Sequence, residues 1–193
     1  MPRLRPALTL ASLALVVPFA ACGGGNDPVK EAHNEGIYVT TGGLRYQVQM
    51  SRKLNPYDIE DRDYLSGIPN ADKQVANQDV AWFGVFLRVE NRTHKGDAVE
   101  KTIQAASKFK IVDNKGTEAE PYPLPADNVY AYRSVPLNPK GQIPAASSTA
   151  GQAPIGGALV VFKIDQSILE RRPTQLRIEA ADGSGEAEVN LDI

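Results

Sequence analysis

The chain is almost without cysteine, since Cys22 is the only one among 193 residues. A disulfide needs two thiols and structural zinc sites use several ligands, so the folded part can form neither a disulfide nor a thiolate metal site. Histidine is nearly as scarce, with only His33 and His94. A nucleophile–histidine dyad would have to use His94, which lies in a turn-like stretch where histidine is usually solvated. We therefore expect a protein that is not an enzyme and carries no cofactor.

An excess of charge of one sign is also lacking. Lys and Arg total 21, Asp and Glu total 23, and the formal net charge is -2. This balance gives no electrostatic basis for binding nucleic acid or an anionic membrane surface. The charge therefore favours a neutral partner, or none, and excludes nucleic acid as the expected partner.

Long hydrophobic runs are missing apart from one near the start, from Ala7 to Val17, which is too short for a comfortable transmembrane helix. Two arginines precede it and small residues follow, the layout of a secretory signal peptide over residues 1–21. Cys22 after two alanines resembles the bacterial lipobox, which implies a diacylglycerol on the Cys22 thiol and a palmitate-type anchor in the membrane. The alternative is an ordinary secreted protein with a chance cysteine.

Residues 22–36 are rich in glycine and polar residues, and we expect them to form a flexible tether. Two or more acyl chains would hold such a chain stably at the cell membrane, on its extracytoplasmic face. Residues 37–193 remain, enough for one ordinary domain with a hydrophobic core.

Large apolar residues are densest from Val80 to Asn91, and this stretch predicts the central strand of a sheet. Successive side chains of a strand point to opposite faces. One face is apolar throughout and carries Ala81, Phe83, Val85, Leu87 and Val89. The other face is apolar only at its start and carries Val80, Trp82, Gly84, Phe86, Arg88 and Glu90. We therefore expect a strand that is packed on both sides at one end.

Turn residues divide the remaining chain into further elements. Gly42-Gly43 predicts a hairpin between residues 37–41 and 44–50. Four residues of its second strand are expected on one face: Leu44, Tyr46, Val48 and Met50. The later predicted elements are strands at 109–113 and 117–122 around Gly116, an interior strand at 157–165, a helical turn at 166–170, and a final hairpin of residues 176–179 and 187–193. Residues 98–106 could form a helical turn, but extended chain is the preferred interpretation.

Two long connections interrupt these strands. Residues 54–78 contain an acidic run and predict an ordered excursion or a functional loop. Residues 121–154 hold most of the prolines that follow the leader, which argues against both helix and central strand and predicts a path over the surface.

Strands separated by turns, with no series of amphipathic helices, predict an all-β fold, an immunoglobulin-like β-sandwich of about seven to nine strands with long loops. Trp82 is present without the cysteine pair of antibody domains.

Several short patterns occur along the chain: Val85-x-Leu87-x-Val89-x-Asn91, then Phe109-x-Ile111-Val112-Asp113-x-x-Gly116 with Pro121, then Pro144 and Gly157-Ala158-Leu159-Val160-Val161-Phe162. Together they resemble a known family, the domain of unknown function DUF4352. The resemblance runs from about residue 37 to the end. It implies an immunoglobulin-like domain on an extracellular bacterial lipoprotein, and the family brings no catalytic motif.

Two groups of residues are candidate sites. Closely spaced carboxylates could bind calcium outside a cell, and they are Asp58, Glu60, Asp61 and Asp63. Their spacing is not that of an EF-hand and Arg62 lies among them, so a solvated charge run is the better interpretation.

Three tyrosines among prolines form the second group: Tyr122, Tyr130 and Tyr132. They could present an adhesive surface to a cell-envelope protein, or they could cover the open side of a sheet. The sequence thus predicts a lipid-anchored extracytoplasmic binding or structural module, with a calcium-dependent or small-ligand-binding lipoprotein as the alternative.

Overall fold

The computed structural model describes residues 28–74, 79–92 and 100–193, so the predicted signal peptide, Cys22 and His94 lie outside the described residues. Twelve strands occur in the described ranges: Glu31–Ala32 (β1), Tyr38–Thr41 (β2), Leu44–Leu54 (β3), Val80–Glu90 (β4), Ile103–Gln104 (β5), Lys108–Val112 (β6), Glu118–Ala119 (β7), Pro136–Leu137 (β8), Gln142–Ile143 (β9), Ala158–Asp165 (β10), Gln175–Glu179 (β11) and Glu186–Asn190 (β12). Three short helices accompany them: Asn70–Lys73 (α1), Thr149–Gln152 (α2) and Gln166–Glu170 (α3). Among these residues, no helix is long and apolar enough to cross a membrane.

The strands form two main sheets. The first sheet has the order β1-β12-β11-β6-β7, and the second has the order β10-β4-β3-β2, with β9 also paired to β4. Strands β5 and β8 form a separate pair. Five of the twelve strands have only two residues, which leaves seven of four residues or more. The predicted all-β sandwich is therefore confirmed.

Strand β4 is central to the second sheet, as its apolar sequence predicts. It pairs antiparallel with β3 along one edge and with β10 along the other. Phe83, Val85 and Leu87 are fully buried between the two sheets, in the inner core. Trp82 and Phe86 point to the other side of the sheet and belong to a second, outer apolar cluster. The predicted division of the strand into two faces is confirmed.

A β-bulge corrects one detail of the predicted hairpin. Leu44, Tyr46 and Val48 of β3 are buried, but Met50 is 40% exposed. The pairing of β3 with β4 shifts between Val48 and Met50, and one extra residue in a strand exchanges its two faces. Alternation in the sequence could not reveal this shift, because the strand remains extended on both sides of it.

The folded domain begins earlier than the sequence predicts. Within the expected tether, β1 pairs in parallel with β12, and Ala32 is buried in the inner core. Glu35 accepts hydrogen bonds from the backbone and hydroxyl of Ser51 and from the backbone of Asp192. Residues 30–36 are therefore part of the sandwich. The polar composition of this segment predicts a tether. Its pairing partner is β12, in which Glu188 lies opposite Glu31 from more than 150 residues later in the chain.

The proline-rich stretch also departs from expectation. Helix α2 lies within it and is capped by Ser148, whose side chain accepts a hydrogen bond from the Gly151 backbone. This stretch also supplies β8 and β9. Two of its residues, Tyr122 and Ala131, form single β-bridges with Val161 and Leu159 of β10. The expectation that this stretch excludes helix was wrong, since four consecutive proline-free residues with a serine cap suffice for one turn. The predicted path over the surface is confirmed, because most of residues 121–154 are exposed or half-buried.

Candidate functional site

The two long connections meet over the outer apolar cluster of the second sheet. We call residues 55–68 the acidic loop and residues 121–134 the proline loop. The buried part of this cluster combines residues of the sheet with two of the acidic loop: Leu54, Trp82, Phe86, Leu159 and Val161, and Leu65 and Ile68. The loops thus replace solvent over the apolar half of the sheet, which explains why the outer face of β4 is apolar only at its start.

The acidic loop is held by its own polar groups. The carboxylate of Asp61 is buried, pairs with the Arg52 guanidinium and accepts a hydrogen bond of 2.8 Å from the Asn55 backbone. The Asp58 side chain accepts from the Glu60 backbone at 3.1 Å. These contacts are typical of Asx turns and fix the loop against the end of β3.

The predicted calcium ligands do not converge. In the part of the chain that the structure describes, no group of three or more His, Cys, Asp or Glu side chains could hold a metal ion, and all four acids belong to that part. Asp61 is committed to Arg52, while Asp58, Glu60 and Asp63 are exposed. The four carboxylates therefore form no shared cation site in the described structure.

The three predicted contact tyrosines are half-buried and support the loop. Tyr122 packs edge-on against Trp82 at 5.0 Å and donates a hydrogen bond of 2.9 Å to Asp72, which raises the pKa of Tyr122. Tyr130 packs edge-on against Tyr64 at 4.8 Å. Tyr132 reaches the inner core instead.

Tyr132 packs against Phe109 at 4.9 Å and donates a hydrogen bond of 2.8 Å to the Ala106 carbonyl. Burial raises the pKa of its hydroxyl well above the ordinary value. Tyr122 and Tyr130 therefore pack over the open side of the second sheet, the second of the two possibilities that the sequence left open, whereas Tyr132 packs against the inner core.

The acidic and proline loops form one body. Asn128 of the proline loop is buried and donates hydrogen bonds to the carbonyls of Tyr64 at 2.9 Å and Ser66 at 3.1 Å. Gly67 has a positive φ of 78°, and a Cβ at that position would lie 2.9 Å from the Pro125 ring. We call this body, residues 55–74 with 121–134, the composite loop surface.

The composite loop surface exposes apolar residues that the sequence did not single out. Tyr57 is 72% exposed, Ile59 is 74% exposed and Val129 is 58% exposed. Tyr57 and Ile59 alternate with acids, so the run looked like a plain solvated stretch. Large apolar side chains in a segment without strand or helix periodicity are the signal that could have identified them.

The remaining chemical candidates are dispersed. His33 lies exposed after β1, and the edge of a shallow depression there is formed by Arg172 and Asp192. The Asn91-Arg92-Thr93 sequon begins at a fully buried Asn91, whose side-chain amide donates to the carbonyls of Lys101 and Leu137 at 2.8 Å each. Asn91 is thus a structural residue that ties the end of β4 to two later segments.

No family model matches the sequence, and neither does any curated protein. Among solved structures, the chain is similar to the crystal structure of the yjhA protein from Bacillus subtilis, with a TM-score of 0.52 and 10% sequence identity. The superposition covers 83% of this chain and 99% of that chain. At this identity the likeness concerns the fold alone, and it agrees with an all-β sandwich.

Proposed function

We propose that the protein is a lipid-anchored extracytoplasmic module that presents its β-sandwich at the cell surface and acts by binding, not by catalysis. The leader of residues 1–21 and Cys22 after two alanines support the anchor. The similarity of the strand patterns to DUF4352 supports the same location. A cell-envelope protein is the proposed partner, because the near-zero net charge favours neither nucleic acid nor anionic lipid.

The observation that carries this proposal is the placement of the composite loop surface relative to the entering chain. Val29 accepts a hydrogen bond of 2.6 Å from the Thr40 backbone, close to the turn between β2 and β3. The acidic loop begins where β3 ends, at Leu54. The eleven residues of β3 span about 35 Å at 3.3 Å per residue. The chain therefore enters at one end of the sandwich, and the acidic loop lies at the other.

An anchor at Cys22 would hold the entry end close to the membrane. Six residues lie between Cys22 and Val29, and the seven steps of the chain from one to the other can span no more than about 25 Å when fully extended. The end with Tyr57 and Ile59 would then face away from the membrane, where a partner can reach it. Exposed apolar side chains on a well-packed loop are suited to contact a protein, since little conformational freedom is lost on docking.

The anchor is tested by expressing the wild type and Cys22→Ser in a bacterium supplied with a labelled fatty acid. We expect the wild type to carry label and to sediment with membranes, and the variant to be unlabelled and retained as the longer precursor. A labelled Cys22→Ser protein of mature length would refute the proposed lipid attachment.

A further inference from the structure

A groove follows strand β10 at the edge of the second sheet, where the proline loop touches the strand twice. At one contact, the Tyr122 backbone donates to the Val161 carbonyl at 2.8 Å. At the other, the Tyr132 backbone donates to the Leu159 carbonyl at 2.8 Å, and Leu159 donates to Tyr130 at 2.7 Å. Between the two contacts, Val160 of β10 lies at the floor of an open groove of about 280 Å³.

The groove is mostly apolar, although Ser107, Ser134 and two tyrosines line it as well as one arginine. Its floor and walls include Phe109, Val160, Leu159, Pro121, Pro123 and Leu124. Among the residues that the structure describes, Arg133 is the only charged one that lines it. A volume just below 300 Å³ is at the small end of the range for ligand pockets, which are typically apolar with a few polar groups that orient the ligand. The ligand must therefore be small, with an apolar body.

Arg133 supplies the orienting group. Its guanidinium donates to the carbonyl of Leu124 at 3.2 Å and to the carbonyl of Pro125, so the fork is held at the rim. Within the described ranges, no carboxylate lies within ion-pair distance of it. A guanidinium has five donors in a planar fork and matches a carboxylate closely. A ligand with a single negative charge would therefore complement Arg133 at this rim.

The walls are fixed before any ligand arrives. Tyr132 and Phe109 pack edge-on at the floor, Tyr122 is bonded to Asp72, and Asn128 ties the arch of the proline loop to the acidic loop. The prolines restrict the backbone further. Because the groove is already formed, little conformational entropy is lost when a ligand binds. A small ligand, which makes few contacts, can therefore still bind.

We infer that this groove binds a small amphiphilic carboxylate, with the alkyl part along Val160 and the carboxylate on Arg133. The site goes beyond the proposed surface binding and is independent of the anchor, because none of its residues belongs to the entering segment.

Octanoate is the probe, and backbone NMR shifts of the folded domain, residues 28–193, are the readout. We expect shifts concentrated at residues 121–124, 131–134 and 159–161, with octanol and octylammonium binding more weakly than octanoate. Arg133→Gln should weaken octanoate binding by about tenfold or more, as expected for loss of a hydrogen bond to a charged group. Arg172→Gln, which changes an exposed arginine outside the groove, should leave binding unchanged.

Any of these results would overturn the inference: octanol binding as tightly as octanoate, shifts located elsewhere, or equal affinities of Arg133→Gln and the wild type. Absence of any octanoate shift at millimolar concentration would overturn it as well. None of these results bears on lipidation at Cys22, which the fatty-acid labelling measures separately.

Discussion

At the scale of single residues, the periodicity of β4 could be predicted from sequence because its apolar side chains are contiguous and β-branched or aromatic. Alternation alone predicts that Leu87 faces the inner core, and Leu87 is fully buried. Met50 could not be placed this way, because the bulge that exposes it depends on pairing with β4 and not on residue type. Burial and exposure at these two positions give different expected costs of truncation.

Leu87→Ala should lower the free energy of unfolding by about 2–5 kcal/mol, since a fully buried leucine leaves a cavity when truncated. Met50→Ala, at a neighbouring strand position on the outer face, should cost under about 1 kcal/mol because its side chain is already 40% exposed. Urea unfolding of both variants checks this. Equal losses would mean that the bulge, or the facing of β4, is misplaced.

Glu35 is the residue whose ionisation should affect stability. Burial raises its pKa, although hydrogen bonds from Ser51 and Asp192 partly oppose the shift. A carboxyl with a raised pKa in the folded state contributes stability at pH values below its unfolded pKa. That contribution is lost as the pH rises through the folded pKa.

Glu35→Gln removes this ionisation and keeps the shape of the side chain. The wild type should therefore lose stability relative to the variant as the pH rises from below 4.5 through the raised pKa of Glu35. Unfolding free energies of both proteins, measured from acid to neutral pH, test the sign. A difference that stays constant with pH, or moves the opposite way, would contradict the proposed environment of Glu35.

At the scale of elements, strands with their own turns were predictable and elements with distant partners were not. The hairpin of β11 and β12 and helix α3 have local signals, and both were predicted. Strand β1 has no such signal, since only two residues pair with β12. The composite loop surface was likewise hidden, because its two loops are separated in sequence by strands and become neighbours only when the sheet forms.

Removing the N-terminal segment tests where the domain begins. A protein starting at Ile37 loses the pairing of β1, the burial of Ala32 and the bonds of Glu35. Several hydrogen bonds at roughly 1 kcal/mol each predict a decrease in Tm of about 5 °C or more relative to a protein starting at Pro28. Calorimetry of the two proteins measures it. Identical Tm values would mean that the residues before Ile37 do not stabilise the domain, as expected for a flexible tether.

The three tyrosines should matter for stability, contrary to what a contact role would require. Replacing Tyr122, Tyr130 and Tyr132 together by serine removes three aromatic contacts and the packing of Tyr132 against the inner core. We expect a loss of several kcal/mol, since truncation of one buried aromatic costs about 3–5 kcal/mol. Urea unfolding gives the value, and Ile59→Ser serves as the exposed control. A loss no larger than that of the control would assign the tyrosines to the surface.

At the scale of the whole molecule, two sheets pack through one inner core, and a second cluster is covered by the composite loop surface. The first sheet contributes Phe109, Ile111 and Leu176 to the inner core, opposite Leu87 and Phe83 of the second. The entering chain and the acidic loop are at opposite ends of β3. Because these two features lie at opposite ends, an anchor on the entering chain would leave the acidic loop pointing away from the membrane.

Labelling of intact cells by a charged maleimide that does not cross the cytoplasmic membrane tests this account most directly. Ile59→Cys places a thiol on the acidic loop, and Leu87→Cys places one in the inner core as the matched control. We predict that Ile59→Cys is labelled in intact cells and that Leu87→Cys is labelled only after denaturation. Labelling of Ile59→Cys only after the cells are broken would contradict the proposed extracytoplasmic presentation.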